Sequence, residues 1–219
     1  MKIIGIDASI NSTAICLEEN NIEEYHCYTT SDKLTKWMKI LEPVVNFHFI
    51  SYNYPNEYSQ SEVYKINNYF ATSQLMMVDT TGINIVGMES YSQSSNAGRL
   101  VDLVTLGSFI RIGILNTGSD LSLYAPMTMK KEACRLAYNL TDKKGKIYRN
   151  PEGVAGGSFK KQEMLKAMVH YTRDRIGGIY DILREYSDEM LNMKSIPSPY
   201  DDIIDAFWAK EITKINKGL

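Results

Sequence analysis

Three strand patterns follow one another within the first thirty residues. The segments "IIGIDA", "TAICLEE" and "IEEYHCYTT" are rich in apolar and β-branched residues, and the polar turn "SINS" separates the first two. This succession predicts an antiparallel three-strand meander. The first apolar run leads straight into Asp7. An unpaired charge at the end of a buried strand is costly, so Asp7 either caps a turn or holds something positive.

The remainder of the chain alternates between helix and strand patterns. The resulting order, β-β-β-α-β-α-β-α, favours an α/β fold with a mixed sheet and helices on its faces. No linker or repeat divides the 219 residues, so we expect a single domain over 1–219, with a Gly- and Lys-rich insertion at about 139–158. Apolar periodicity and turn residues predict helices over 32–45, 61–82, 100–118, 159–177 and 198–216, strands over 83–89 and 121–126, a loop over 48–60, and a weaker helix with a loop over 177–198.

Composition excludes several classes of protein. The formal net charge is −2, so any surface for nucleic acid must be a local patch. Three widely spaced cysteines without a CxxC pair argue against a disulfide framework or a zinc site and suit a reducing compartment. No apolar run could span a bilayer and no signal peptide is evident, so we expect a cytoplasmic protein. The Tyr-, Asn-, Ile- and Lys-rich composition is typical of an AT-rich phage or viral genome.

Acidic residues stand at three places where elements end or begin. Asp7 ends the first strand and Glu89 ends the fourth, while Asp201, Asp202 and Asp205 open the last helix. Strand ends and a helix start can converge at one edge of an open α/β sheet, where ligands bind. Carboxylates gathered there would repel one another unless one or two Mg²⁺ ions lay between them.

Each acid also has an ordinary structural explanation. Asp7 can be a turn residue, and Glu89 can be a solvated strand end. Asp201 and Asp202 complement the dipole of the helix they open. Asp205 is the hardest to dismiss, because the surrounding "IIDAFWA" is apolar and a carboxylate there needs a partner.

Six segments, in order, resemble the motifs of one known family. "IIGIDASINSTAICL" resembles its first strand pair with a "GIDPG…TG" motif, and "IVGMES" resembles its "AIE" strand end. "LVTLGSFIRIGI" resembles its "LGQARGVAI" helix, and "YAPMTMKK" its "Y-x-P-x-x-V-K-K" segment. "GGSFKKQEMLKAMV" resembles "G-x-G-x-A-x-K-x-Q-V", and "DDIIDAFWA" the closing "D-x-x-D-A-L-A". Together these segments resemble RuvC-type Holliday junction resolvases.

This resemblance implies a fold, a chemistry and a set of site residues. It implies a ribonuclease H-like mixed sheet, three antiparallel strands followed by parallel ones, and an endonuclease that resolves branched DNA with two Mg²⁺ ions, or Mn²⁺ in their place. It implies that the metal ligands are Asp7, Glu89, Asp202 and Asp205. Spacing alone leaves Asp201 open as an alternative to Asp202, because Asp201 and Asp205 also share a helical face. Lys161 matches a catalytic lysine, and Lys130 or Lys131 matches the lysine after Tyr-x-Pro.

The chain also departs from the family pattern. Ala8-Ser9 replaces Pro-Gly after the first Asp. The aromatic residue that touches junction DNA in the family is offset by one, so Tyr91 is its nearest match. The stretch before the Glu and the segment between "KK" and "GGSFKK" are both longer. These departures bear on junction selectivity more than on the metal site.

A basic region supports a nucleic-acid partner independently of the resemblance. Residues 130–173 contain eleven Lys and Arg against four acids, a local charge of +7. Such a patch neutralises phosphates and releases counterions, although a solvated basic loop is the plainer explanation. The predicted DNA contacts are Tyr91, Lys130, Lys131, Lys143, Lys144, Lys146, Arg149 and Lys160.

The sequence leaves two other functions open. A structural protein that binds branched DNA without cutting it would not need the full acidic set. An actin-like or sugar-kinase-type ATPase also begins with a strand and an Asp, but needs a second "DxGGGT" motif that is missing here. For the resolvase, two symmetric cuts imply a homodimer, and the apolar helix 100–115 is a candidate dimer face or simply a core helix.

Overall fold

The computed structural model describes residues 1–9, 12–31, 33–49, 84–90, 97–138 and 160–219, with the backbone alone over 97–102. Its strands are β1 (Lys2–Asp7), β2 (Ser12–Glu19), β3 (Ile22–Thr29), β4 (Asn46–Phe49), β5 (Ile85–Glu89) and β6 (Asp120–Tyr124). Its helices are α1 (Lys36–Leu41), α2 (Ala97–Asn116), α3 (Pro126–Tyr138), α4 (Lys161–Tyr171), α5 (Ile179–Leu191) and α6 (Tyr200–Asn216). No helix within these ranges is long and apolar enough to cross a membrane.

The strands form one mixed sheet in the order β4-β3-β2-β1-β5-β6. β1, β2 and β3 pair antiparallel, as the meander pattern predicts. β5 then pairs parallel to β1, and β6 pairs parallel to β5. This order and these directions are those of the ribonuclease H-like fold, which confirms the predicted fold class. β4 extends the sheet beyond β3, to which it is parallel.

Alternation along β1 and β2 sends side chains into two cores, one on each face of the sheet. On one face, Ile4, Ile6 and Ile15 pack with α2 through buried residues such as Ile110. On the other face, β2 packs beneath α6, and α3, α4 and α5 contribute to the same larger core. Helices therefore cover both faces of the sheet, as predicted.

The first predicted helix is shorter than its pattern suggested. It covers Lys36–Leu41 rather than 32–45. Thr35 caps the start, since its hydroxyl accepts a hydrogen bond from the Met38 amide at 3.2 Å. Glu42 still has helical dihedral angles, but the nitrogen of Pro43, the next residue, carries no proton that could extend the helical hydrogen bonds. The N- and C-terminal boundaries are thus set by local turn chemistry that the apolar spacing does not report.

Three further elements differ from the sequence-based prediction. The loop predicted over 48–60 is wrong at its first two residues, because β4 continues to Phe49. The sequence pattern does not predict helix α3, which begins at Pro126, the last residue of the predicted strand 121–126, because proline can end a strand and is also favoured in the first turn of a helix. Residues Ile179–Leu191 form a regular helix where a weaker one was expected. The predicted helix 61–82 and insertion 139–158 lie outside the described residues.

Candidate metal centre

Three acidic side chains from distant parts of the chain meet at one edge of the sheet. Asp7 is the last residue of β1 and Glu89 the last of β5, and these parallel neighbours pair through Ile6 and Met88. Asp205 lies in the second turn of α6, which packs across β1 and β5. One carboxylate oxygen from each of the three lies within 4.8 Å of the others. The predicted convergence of strand ends and helix start is therefore present in the structure.

Two glycines let α6 approach the sheet this closely. A Cβ atom at Gly5 would lie 2.0 Å from the carbonyl oxygen of Ala206. A Cβ atom at Gly87 would lie 2.0 Å from Thr213 Oγ1 and 2.4 Å from the carbonyl oxygen of Ala209. Glycine inside a strand often marks such a close backbone approach. Because Ala206 follows Asp205 in the chain, the contact at Gly5 also sets how near Asp205 comes to Asp7.

Burial and mutual repulsion perturb the acids of this cluster. Burial raises the pKa of Asp7 well above its ordinary value, and the charges of Glu89 and Asp205 raise it further. Burial, followed by the charge of Asp205, raises the pKa of Glu89 to about 7. Burial also raises the pKa of Asp205, while Lys161 and Lys130 partly offset the rise. The lysines of the protein therefore do not supply enough positive charge to neutralise the ionised carboxylates of this cluster.

A divalent cation fits this arrangement. The three residues offer carboxylate oxygens, the hard ligands that Mg²⁺ and Ca²⁺ prefer. Asp205 is only 2% exposed, and its Oδ1 atom has no hydrogen-bond partner among the described residues. A buried carboxylate oxygen without a partner is unfavourable unless a cation or a proton satisfies it. Asp7, Glu89 and Asp205 would hold such a cation.

Asp202, the fourth predicted ligand, has different surroundings. It is not one of the three described residues whose oxygens cluster within 4.8 Å. Its Oδ2 atom accepts a hydrogen bond from the Ser198 hydroxyl at 3.2 Å. Burial and the adjacent Asp201 raise the pKa of Asp202 to about 7. Its charge nevertheless contributes to the raised pKa of Asp7, so Asp202 lies close enough to influence the cluster.

Two of the predicted lysines face the carboxylates. Lys161, the first residue of α4, places its Nζ atom 3.3 Å from Asp205 Oδ2. Lys130 on α3 is half-buried, and its charge lowers the pKa of both Glu89 and Asp205. Lys131, the alternative to Lys130 in the sequence, is exposed, as is Lys160 just before α4. The structure therefore distinguishes two lysines that the sequence motif left equivalent.

Asp201 makes a contact that the sequence did not indicate. Its Oδ2 atom accepts a hydrogen bond from Lys161 Nζ at 2.8 Å, across forty positions of the chain. The sequence explained Asp201 as a charge at the start of a helix, and its place in the first turn of α6 agrees with that. No local pattern could show that the first residue of α4 would lie beside it.

Five of the predicted DNA contacts lie outside the described residues, and their role stays a prediction: Tyr91, Lys143, Lys144, Lys146 and Arg149.

A second acidic group lies elsewhere and already has a cation of its own. Oxygens of Glu18, Glu23 and Glu211 lie within 4.8 Å of one another. The fully buried ammonium of Lys210 lies 2.8 Å from Glu18 Oε2, 2.8 Å from Glu211 Oε1, and also contacts Glu23. Arg175 pairs with Glu23 and Glu211 as well. These charges compensate one another, so we assign this group to stability and not to metal binding.

Comparison with known proteins gives structural neighbours without close sequence relatives. No family model and no curated protein matches the sequence. RuvC of Thermus thermophilus in complex with a Holliday junction substrate is similar in structure, with 13% identity and a TM-score of 0.45, covering 100% of this chain and 96% of that one. Another structure of Thermus thermophilus RuvC shares 14% identity at a TM-score of 0.44, and the match covers 100% of this chain and 97% of that one. The yeast mitochondrial Holliday junction resolvase Ydc2 shares 10% identity at a TM-score of 0.46, and the match covers 94% of this chain and 75% of that one.

Proposed function

We propose that this protein is a divalent-metal-dependent endonuclease that cuts branched DNA, with Mg²⁺ or Mn²⁺ as its cofactor. The observation that carries the proposal is the set of Asp7, Glu89 and Asp205, brought together from β1, β5 and α6 with oxygens inside 4.8 Å and with Asp205 buried. The ordered motifs that resemble RuvC-type resolvases support the same reaction, because they assign ligand roles to these same residues.

The chain's own residues have distinct tasks in this proposal. Asp7, Glu89 and Asp205 would hold the metal, and Asp202, whose charge acts on Asp7, would be the fourth ligand. Up to two ions bound there would activate a water and stabilise the leaving oxygen of a phosphodiester. The resemblance to the resolvase motif favours Asp202 over Asp201 as the fourth ligand, and Lys161 already binds Asp201 at 2.8 Å.

Lys161 and Lys130 would bind and orient the phosphate that is cut. Lys161 lies on α4 and Lys130 on α3, and the charge of each lowers the pKa of Glu89 and of Asp205. Asp205, Asp201 and Asp7 raise the pKa of Lys161 above its ordinary value, although burial opposes this, so its ammonium stays charged at neutral pH. A fixed positive charge beside the scissile phosphate stabilises the negative charge that develops during cleavage. Lys131 and Lys160, which are exposed nearby, would bind neighbouring phosphates.

Resolution of a four-way junction requires two symmetric cuts, which implies a homodimer. The outer side of α2 supports a contact between two copies, because Ile112 is 55% exposed and Leu115 is 58% exposed. The opposite side of the same helix is buried in the core through Leu106, Ile110 and Ile114. Light scattering on Ile112→Glu/Leu115→Glu tests this contact: a monomeric variant from a dimeric wild type supports it, and an unchanged mass contradicts it.

The deciding experiment is cleavage of four substrates side by side. A four-way junction, a plain duplex, a flap and an RNA–DNA hybrid are incubated with Mg²⁺, Mn²⁺, Ca²⁺ or excess EDTA. We expect junction cleavage with Mg²⁺ and Mn²⁺, binding without cleavage in Ca²⁺, and no cleavage in EDTA. Cleavage that persists in EDTA contradicts the metal requirement. Tight junction binding without cleavage in any metal would favour the structural DNA-binding protein instead.

A further inference from the structure

The ammonium of Lys161 is shared by two aspartates that lie one helical turn apart. Its Nζ atom is 2.8 Å from Asp201 Oδ2 and 3.3 Å from Asp205 Oδ2. Positions 201 and 205 of a helix lie on the same face, so one side chain from α4 can reach both. The two partners differ in depth: the Asp201 side chain is 19% exposed, whereas that of Asp205 is 3% exposed.

We propose that Asp201 is a positioning residue that holds Lys161 at the mouth of the carboxylate cluster, leaving Asp205 available to a divalent cation. This inference rests on the proposed function, in which Asp205 is a metal ligand. Lys161 and such a cation carry the same sign of charge and compete for the carboxylate of Asp205. Asp201 offers the ammonium a second partner, so Lys161 can give up Asp205 without losing its ion pair.

The surroundings of Asp201 set it apart from its neighbour Asp202. The Asp202 carboxylate accepts a hydrogen bond from Ser198, while the hydrogen bond to Asp201 comes from Lys161. The other oxygen of Asp201, Oδ1, is buried and has no hydrogen-bond partner among the described residues. The motif that resembles the resolvases uses positions 202 and 205 and assigns nothing to 201. A role limited to the helix start would not require a lysine from another helix at 2.8 Å.

Without Asp201, Lys161 keeps only Asp205 of its two ion-pair partners. The ammonium then competes more strongly for the ligand that the cation needs, so metal affinity falls. The ammonium also loses the contact that keeps it at the mouth of the carboxylate cluster, where a phosphate would be bound. Both effects depend on Lys161, and this separates a positioning role from a plain loss of negative charge.

The test is a double-mutant cycle read out by Mn²⁺ binding to the full chain in the absence of DNA. Calorimetric titrations compare wild type, Asp201→Asn, Lys161→Met and the double variant. We expect Asp201→Asn to weaken Mn²⁺ binding about threefold to tenfold when Lys161 is present, and less than about twofold in the Lys161→Met background. Asp201→Glu, which keeps the charge, should restore most of the affinity and guards against misfolding of the Asn variant.

A control variant and the contrary outcomes complete the design. Asp188→Asn removes a charge from the exposed side of α5 and should leave Mn²⁺ affinity unchanged. Equal weakening by Asp201→Asn in both backgrounds would show a simple charge effect and overturn the inference, as would no weakening in either. If wild type binds Mn²⁺ but cuts no branched DNA, the nuclease proposal fails while the cycle still decides the role of Asp201. If wild type does not bind Mn²⁺, both fail.

Discussion

Replacing Gly5 with alanine should separate the clustered carboxylates while leaving most of the fold intact. The new Cβ atom would lie 2.0 Å from the carbonyl oxygen of Ala206 and 2.6 Å from the backbone nitrogen of Lys210. Real Cβ contacts essentially never fall below 3.0 Å, and both of these partners are backbone atoms that no rotamer change can move. The strand and α6 must therefore part by about 1 Å, as in other overpacked cores.

This displacement should affect function more than stability. Overpacking of this kind costs about 1–3 kcal/mol of the free energy of unfolding. Asp205 precedes Ala206, so the same movement carries its carboxylate away from Asp7 and Glu89. A misplacement of about 1 Å in a catalytic group can reduce the rate about 100-fold. We therefore expect a folded variant with weak Mn²⁺ binding and little cleavage.

The assay combines urea unfolding, Mn²⁺ titration and single-turnover cleavage at 25 °C. Ile110→Val is the matched control, because Ile110 is fully buried in the core between α2 and the other face of the sheet. It should cost about 0.5–1.5 kcal/mol and leave Mn²⁺ binding and cleavage nearly unchanged. A folded Gly5→Ala variant that binds Mn²⁺ as tightly as wild type would refute the role assigned to this close contact.

Three further results are expected. Asp205→Asn should abolish cleavage, because it removes one of the three clustered carboxylates. The variant should still bind a four-way junction in a gel-shift assay. Loss of junction binding as well would point to misfolding or to a different role for Asp205. His26 Nδ1 lies 3.0 Å from His48 Nε2, and burial lowers the pKa of both rings, so both are neutral in the folded state. The pair makes its full contribution to the free energy of unfolding above about pH 6.5, the pKa of histidine in the unfolded chain, and this contribution is lost as the pH falls through the pKa values of the folded state. Urea unfolding should therefore show that the wild type loses stability relative to His26→Gln/His48→Gln between pH 7 and 5. A pH-independent difference would contradict this. Four residues of the basic insertion are replaced by alanine in the last experiment: Lys143, Lys144, Lys146 and Arg149. The slope of the logarithm of the DNA-binding constant against the logarithm of the salt concentration should become shallower by up to about one unit per lost phosphate contact. An unchanged slope would mean that these residues do not touch DNA.

The sequence alone determined the class of fold and the acids at its edge. Asp7 and Glu89 could be located because each directly follows a short apolar, β-branched run, which marks the end of a buried strand. Asp205 could be located because it interrupts an apolar stretch of helix, where a carboxylate needs a partner. These signals are local, so a single sequence is enough to show them.

The tertiary structure alone decided how close these groups come and what lies between them. Gly5 and Gly87 were visible in the sequence, but their contact with α6 depends on a helix some 200 and 120 positions further along the chain. The position of Lys161 between Asp201 and Asp205 likewise depends on how two distant helices pack. So does the fact that Lys130, and not Lys131, acts on the carboxylates. Apolar periodicity reports which face of an element is buried. It does not report which distant side chain is packed against that face, because this depends on the register and the separation at which the elements pack.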